Sequence, residues 1–145
     1  MAAGAWVFFA GARTDLLDGT FDLDTQAWKM ALMASTAVVA ASNTDFASVS
    51  AGEVADASTG YTAGGATVTF ALSGSEQVKV DISVDPSWTA STDGITARYA
   101  ILYHASTNDE MLCYCPLESD SSDVVVTNGN TLTVAAHADG VFTLS

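Results

Sequence analysis

The sequence predicts an all-β domain, an antiparallel β-sandwich or jelly-roll-like arrangement of about eight or nine strands. Three observations carry this. Gln77 to Val84 alternates strictly, with Val78, Val80, Ile82 and Val84 on one face and Gln77, Lys79, Asp81 and Ser83 on the other, as a half-buried antiparallel strand requires. Ala66 to Leu72 repeats the pattern with Val68, Phe70 and Leu72 inward. Turn clusters recur at short spacing, while no long stretch keeps a helical period.

Residues 1–12 read as an apolar arm or as a first strand, built on Trp6, Val7, Phe8 and Phe9, and residues 13–145 as a single β domain. Ala10-Gly11-Ala12 has the small-x-small form of a cleavage site. No Lys or Arg precedes the apolar run, so a secretory leader is not expected. Asp18-Gly19 marks a turn into Trp28-Lys29-Met30-Ala31-Leu32-Met33, a strand. From 36 to 65 the alternation fails in favour of Ala, Ser, Thr and Gly, giving one long irregular connection. Short helices are expected in it, one capped by Asn43 or Thr44 and running through Phe46, another around Glu53-Val54-Ala55. A connection of that length in a small domain is functional or packs on itself.

Gly60 to Gly65 lacks the Lys of a phosphate-binding loop and follows no strand, so it reads as a tight turn into Ala66 with Tyr61 as a packing anchor. Ser73-Gly74-Ser75 then joins the two alternating segments into a hairpin. Ile95 to His104 is apolar on both faces and reads as a central strand. Met111 to Cys115 follows, with Pro116 ending it. Val124 to Thr127 and Thr131 to Val134 flank Asn128-Gly129, which favours a type I′ hairpin. Asp139-Gly140 leads to a last strand, Val141 to Leu144.

The chain has 145 residues, 17 acidic and 4 basic, for a net charge of −13. The length suits one domain, and 49% apolar residues are enough to offset the entropy of ordering. Phosphate-neutralising surfaces need Lys and Arg, and Arg13, Lys29, Lys79 and Arg98 are scattered singly, so neither nucleic acid nor an anionic membrane is an expected partner. No apolar run is long enough for a transmembrane helix.

Little in the sequence points to catalysis. His104 and His137 are the two imidazoles, and no motif ties either to a Ser or Cys nucleophile. No catalytic residue and no cofactor is assigned. Cys113 and Cys115, one pleat apart, are expected as buried, reduced thiols in a chain that folds inside a cell. His104 would join them in a metal site only if the strands brought it there. Asp15, Asp18, Asp22 and Asp24 have oxygens at short spacing, as Ca²⁺ requires, but they do not match an EF-hand loop; a solvated acidic turn is the competing reading. Glu118 to Asp123 reads as a solvated acidic loop.

Leu17-Asp18-Gly19-Thr20-Phe21-Asp22-Leu23-Asp24 followed by Trp28-Lys29-Met30-Ala31-Leu32 resembles the opening of a group of small virion proteins of tailed bacteriophages. Gly60 to Ala66, Trp88-Thr89-Ala90, Thr96 to Tyr103 and the Asn-Gly turn extend the resemblance from Leu17 to Leu144. It implies a non-enzymatic virion structural protein, foremost a capsid decoration (cement) protein on the outer face of the head. It would be made in the host cytoplasm and bound to the major capsid protein. Self-association is implied too, with a homotrimer suiting a three-fold position. A tail or head-fibre component binding host glycans is the alternative. The segment Trp6-Val7-Phe8-Phe9 lies outside the resemblance; as an apolar arm it would be the interface to neighbouring subunits.

Overall fold

The computed structural model describes residues 4–106 and 108–145. The all-β class holds. Among the described residues the order is β1 (Val7–Phe8), α1 (Ala12–Asp18), β2 (Trp28–Met33), β3 (Ala66–Val68), β4 (Phe70–Ser73), β5 (Val78–Ile82) and β6 (Ser87–Thr89). There follow β7 (Ile95–Ala97), β8 (Tyr99–His104), β9 (Met111–Pro116), β10 (Val124–Val126), β11 (Thr131–Thr133) and β12 (Phe142–Leu144). Every strand pairing is antiparallel. A five-stranded sheet runs β1-β9-β8-β2-β3 and a three-stranded sheet β12-β5-β4, while β10-β7 and β11-β6 form two-stranded ladders.

The strands among the described residues number twelve, more than expected, because two segments expected as single strands each turn a corner between sheets. Ala66 to Leu72 breaks at Thr69: β3 pairs with β2, while β4 pairs with β5. Ile95 to His104 breaks at Arg98: β7 pairs with β10, and β8 becomes the centre of the five-stranded sheet. At that corner the Arg98 N–H donates to Met33 O (2.7 Å) and its carbonyl accepts from Leu117 N–H (2.8 Å), so the backbone stays bonded through the break. A further strand, β6, is not expected from the sequence; it is a three-residue piece around Trp88, too short to alternate visibly.

The expected Asn-Gly hairpin is not a ladder. Gly129 takes φ +85° while Asn128 keeps a negative φ, and Asn130 N–H donates to Thr127 O (3.1 Å). Positive φ at the second central residue alone fits a type II turn, which splays its flanking strands where type I′ would align them. Accordingly β10 goes to β7 and β11 to β6, with Trp88 opposite Leu132. Two inward assignments also fail: Leu72 is 52% exposed and Val84 77%. Strand β5 ends at Ile82, leaving Val84 outside the sheet. The β4–β5 hairpin itself forms as expected, with Phe70 opposite Ile82 and Ser73 opposite Lys79.

Helix α1, not expected from the sequence, ends at the Asp18-Gly19 turn. Its seven residues are too few to show a period, but Gly11 and Gly19 bound it, both with φ near +86° (87° and 86°). Ala12 and Leu16, one turn apart, face the core.

The five-stranded sheet is buried on both faces. One face carries Trp28, Met30, Leu32, Leu102, Cys113 and Cys115 into the main core. The other carries Ala31, Met33, Ile101, Tyr103 and Met111, covered by Phe9, Phe46 and Val49. The long connection therefore serves as a cover, lying over the sheet. Phe46 stacks on Tyr103 with centroids 4.4 Å apart and planes 3° apart. It opens a 3₁₀ turn, Phe46–Ser48, capped by Asp45, whose carboxylate accepts from Ser48 N–H (3.0 Å); neither Asn43 nor Thr44 is the cap. The second turn, Ser50–Gly52, ends just before Glu53.

Candidate interaction surface

Beyond the end of β3, the edge of β2 is satisfied by the connection. Val54 N–H donates to Leu32 O (2.9 Å), and the Tyr61 hydroxyl accepts from Leu32 N–H (3.2 Å) while donating to Glu53 Oε1 (2.5 Å). Glu53 also accepts from Gly64 N–H (2.6 Å), and the Tyr103 hydroxyl donates to Gly64 O (2.7 Å). Burial, then the Glu53 bond, drives the Tyr61 hydroxyl far up; burial, then Asp109 and Glu53, pushes Tyr103 up to about 12. Both phenols thus stay protonated donors. The glycine-rich loop is the tight turn expected: a Cβ on Gly65, at φ +78°, would lie 1.9 Å from Met30 O.

The acidic stretch 15–24 is occupied by its own backbone. Asp18 and Asp15 sit on α1. The Asp18 carboxylate accepts from Thr20 N–H (2.9 Å), and Asp22 accepts from Asp24 N–H (2.9 Å), Thr25 N–H (3.2 Å) and the Thr25 hydroxyl (2.5 Å). The Thr20 backbone bond holds Asp18 below the usual carboxylate range, and the Thr25 hydroxyl does the same for Asp22. Slight burial, then the neighbouring Asp18 charge, raises Asp15. In the second cluster Asp120 caps Ser122 N–H (2.9 Å), and Asp123 is paired with Arg98 at 2.7 Å rather than merely solvated. Among the described residues no group of three or more His, Cys, Asp or Glu is arranged to hold a metal.

Cys113 and Cys115 are buried free thiols on one face of β9. Burial raises Cys113 well above its ordinary value and pushes Cys115 up to about 12, so neither is a ready nucleophile or ligand. His104 lies at the far end of β8, opposite Trp28, with Nδ1 3.6 Å from Glu110 Oε2. It does not join the cysteines. His137 is exposed in the turn before Gly140.

The segment expected to meet other subunits is placed residue by residue. Val7 and Phe8 form β1, an edge strand registered to Tyr114 and Cys113. Phe9 is buried against Tyr114, with centroids 5.0 Å apart, and belongs to the core. Trp6 is half-buried, and Val7 is 39% exposed. Phe8 packs edge-on to Phe142 (4.8 Å) and carries the Arg13 guanidinium over its ring at 4.5 Å.

Phe8 is also one wall of a groove of about 660 Å³. Leu16 and Leu17 of α1, then Leu23, form the second wall, and Leu72 of β4 with Thr143 and Leu144 of β12 form the third. Asp22 and Asp24 stand at its acidic side. The groove arises because the inner face of the three-stranded sheet overruns the core: Val80 is fully buried, but its neighbours Leu72 and, one pair further, Leu144 reach solvent at 52% and 50%. Leu17 stands at the lip, 86% exposed. Sequence reasoning missed Leu17, Leu72 and Leu144 as a surface; apolar residues at inward strand positions next to a Ser-Gly-Ser tip were the available signal. Among the described residues no helix is long and apolar enough to cross a membrane.

No protein-family model matches the chain, and no curated protein and no solved structure matches it either.

Proposed function

We propose that this chain is a non-enzymatic virion structural protein, a decoration (cement) protein on the outer face of a tailed-phage head, bound to the major capsid protein. The observation that carries the reading is the apolar groove beside edge strand β1, an exposed leucine-lined surface on an otherwise acidic domain. Contiguous apolar surface of this kind marks a contact with another macromolecule. The resemblance of residues 17–144 to small phage virion proteins supplies the setting. A net charge of −13 suits a protein made in many copies, since like charge keeps free copies apart before assembly. Phe8 of β1 borders the groove, so the N-terminal segment contributes to the contact as a docked strand. A homotrimer at a three-fold position fits the same role.

The fibre alternative draws less support. Glycan platforms present open aromatic faces, whereas Trp28, Trp88, Tyr61 and Tyr103 are all in the core. Cryo-electron microscopy of washed particles is the test. Density for this chain at a repeating position on the outer head surface is expected; a chain confined to the tail, or absent from particles, overturns the proposal. Native mass spectrometry of the purified protein reads its self-association.

A further inference from the structure

We propose that the groove receives an extended apolar segment flanked by basic residues, contributed by a neighbouring protein subunit and laid alongside β12 as an added strand. The inference rests on the proposed function in taking a virion subunit as the source of that segment. Strand β12 has one strand partner among the described residues, β5, so its other edge presents an unfilled ladder. Exposed edges are ordinarily blunted by Lys, Pro or inward charge. The sequence of β12 is Phe142-Thr143-Leu144, with no charge and no Pro, so only its shortness limits pairing along that edge. An added strand would continue the sheet whose inner face already shows Leu72 and Leu144, and would set its own apolar side chains against Leu16, Leu17 and Leu23. Backbone bonds would give affinity and the leucine walls side-chain selection.

Charge selects the occupant. Asp22 and Asp24 line the groove, and Asp18 lies on the adjoining helix. The groove's basic residue, Arg13, is engaged over the Phe8 ring. A second copy of this chain would bring a further −13 to an acidic rim, whereas a segment with Lys or Arg at its ends complements it. A volume of about 660 Å³ also falls in the range of small-molecule sites, but an open strand edge along one wall calls for a peptide backbone.

The test uses the full chain and three synthetic peptides. One alternates Leu and Thr with paired Lys at both ends; one replaces the Lys with Glu; one is the Lys peptide N-methylated at alternate backbone nitrogens. Fluorescence anisotropy should show saturable binding of the Lys peptide and about tenfold or weaker binding of each of the others. In amide NMR spectra the largest shifts should fall on Leu17, Thr143 and Leu144. The double variant Leu17→Ser, Leu144→Ser should bind at least about fivefold more weakly with an unchanged unfolding midpoint. Equal binding of the N-methylated peptide, shifts centred elsewhere, or no saturable binding of the Lys peptide overturns the proposal. Particle occupancy is read separately. A chain that decorates heads but ignores the Lys peptide sinks this inference alone; one that binds the peptide but is absent from heads sinks the decoration reading and the virion source of the segment, and leaves the groove's choice of a basic, extended segment standing.

Discussion

The five-stranded and the three-stranded sheet are both antiparallel and end in opposite states. In β2, Met30, Ala31, Leu32 and Met33 are all fully buried, because the main core covers one face and the 36–65 connection covers the other. In the three-stranded sheet the inner face is covered at Phe70, Val80 and Ile82 but open at Leu72 and Leu144. What differs is the neighbour overhead. Phe46 and Val49 arrive on a connection bonded at both ends, through Phe46 N–H to Asp109 O (2.9 Å) and Ala34 N–H to Gly52 O (2.8 Å). Helix α1 is seven residues long and brings only Leu16 and Leu17 to the groove that Leu72 and Leu144 line. The sealed face is closed to solvent, whereas the partial cover leaves Leu17, Leu72 and Leu144 exposed.

The contrast is most sharply broken by paired truncations. Leu32→Ala and Leu102→Ala should each cost about 2–5 kcal/mol in urea unfolding, since each empties a site that cannot collapse. Leu144→Ala should stay within about 0.5 kcal/mol. A comparable loss at Leu144 would mean the groove is closed in solution. Next, Phe46→Ala should cost about 3 kcal/mol and speed amide exchange in β2 and β8, because it removes the cover and the Tyr103 stack. Unchanged exchange would show that the connection is not what seals that face.

Smaller effects follow from titration and capping. Both thiols have raised values in the folded chain, so the folded state keeps protons that the unfolded state releases. Stability from this source is full below the ordinary thiol value of about 8.5 and falls as pH rises from there toward 12. Urea midpoints measured from about pH 8 to about 10.5 should decline, and Cys115→Ala should flatten the decline. Asp18 and Asp22 have the opposite sign: their lowered values give stability above about pH 3.9 that is lost as pH falls through the folded values. Asp45→Ala, which uncaps the turn over the sealed face, should cost about 1 kcal/mol, and Asp45→Asn should recover most of it.

Much of the fold is legible in the sequence because its signals are local. Period-2 alternation locates β5 and the segment that holds β3 and β4, apolar runs locate β2, β8 and β9, and Ser73-Gly74-Ser75 locates the β4–β5 turn. The candidate surface is hardly legible. Trp6 to Phe9 stand out for apolarity, but only Val7 and parts of Trp6 and Phe8 reach the outside, while Phe9 serves the core. Leu17, Leu72 and Leu144 each look like an ordinary strand or turn residue, since nothing in their immediate neighbours says that a face will lack a cover.

The sequence by itself determined the all-β class, the turn positions, the paired buried thiols and the placing of many acids in turns, because these depend on side-chain period and turn chemistry within a few residues. Tertiary structure decided the corners at Thr69 and Arg98, the separation of β10 from β11, the use of the long connection as a cover and the convergence of three distant leucines into a groove. Those outcomes depend on which element lies across from a strand or above its face. That choice is made by contacts between residues far apart in the chain, where local pattern carries no information.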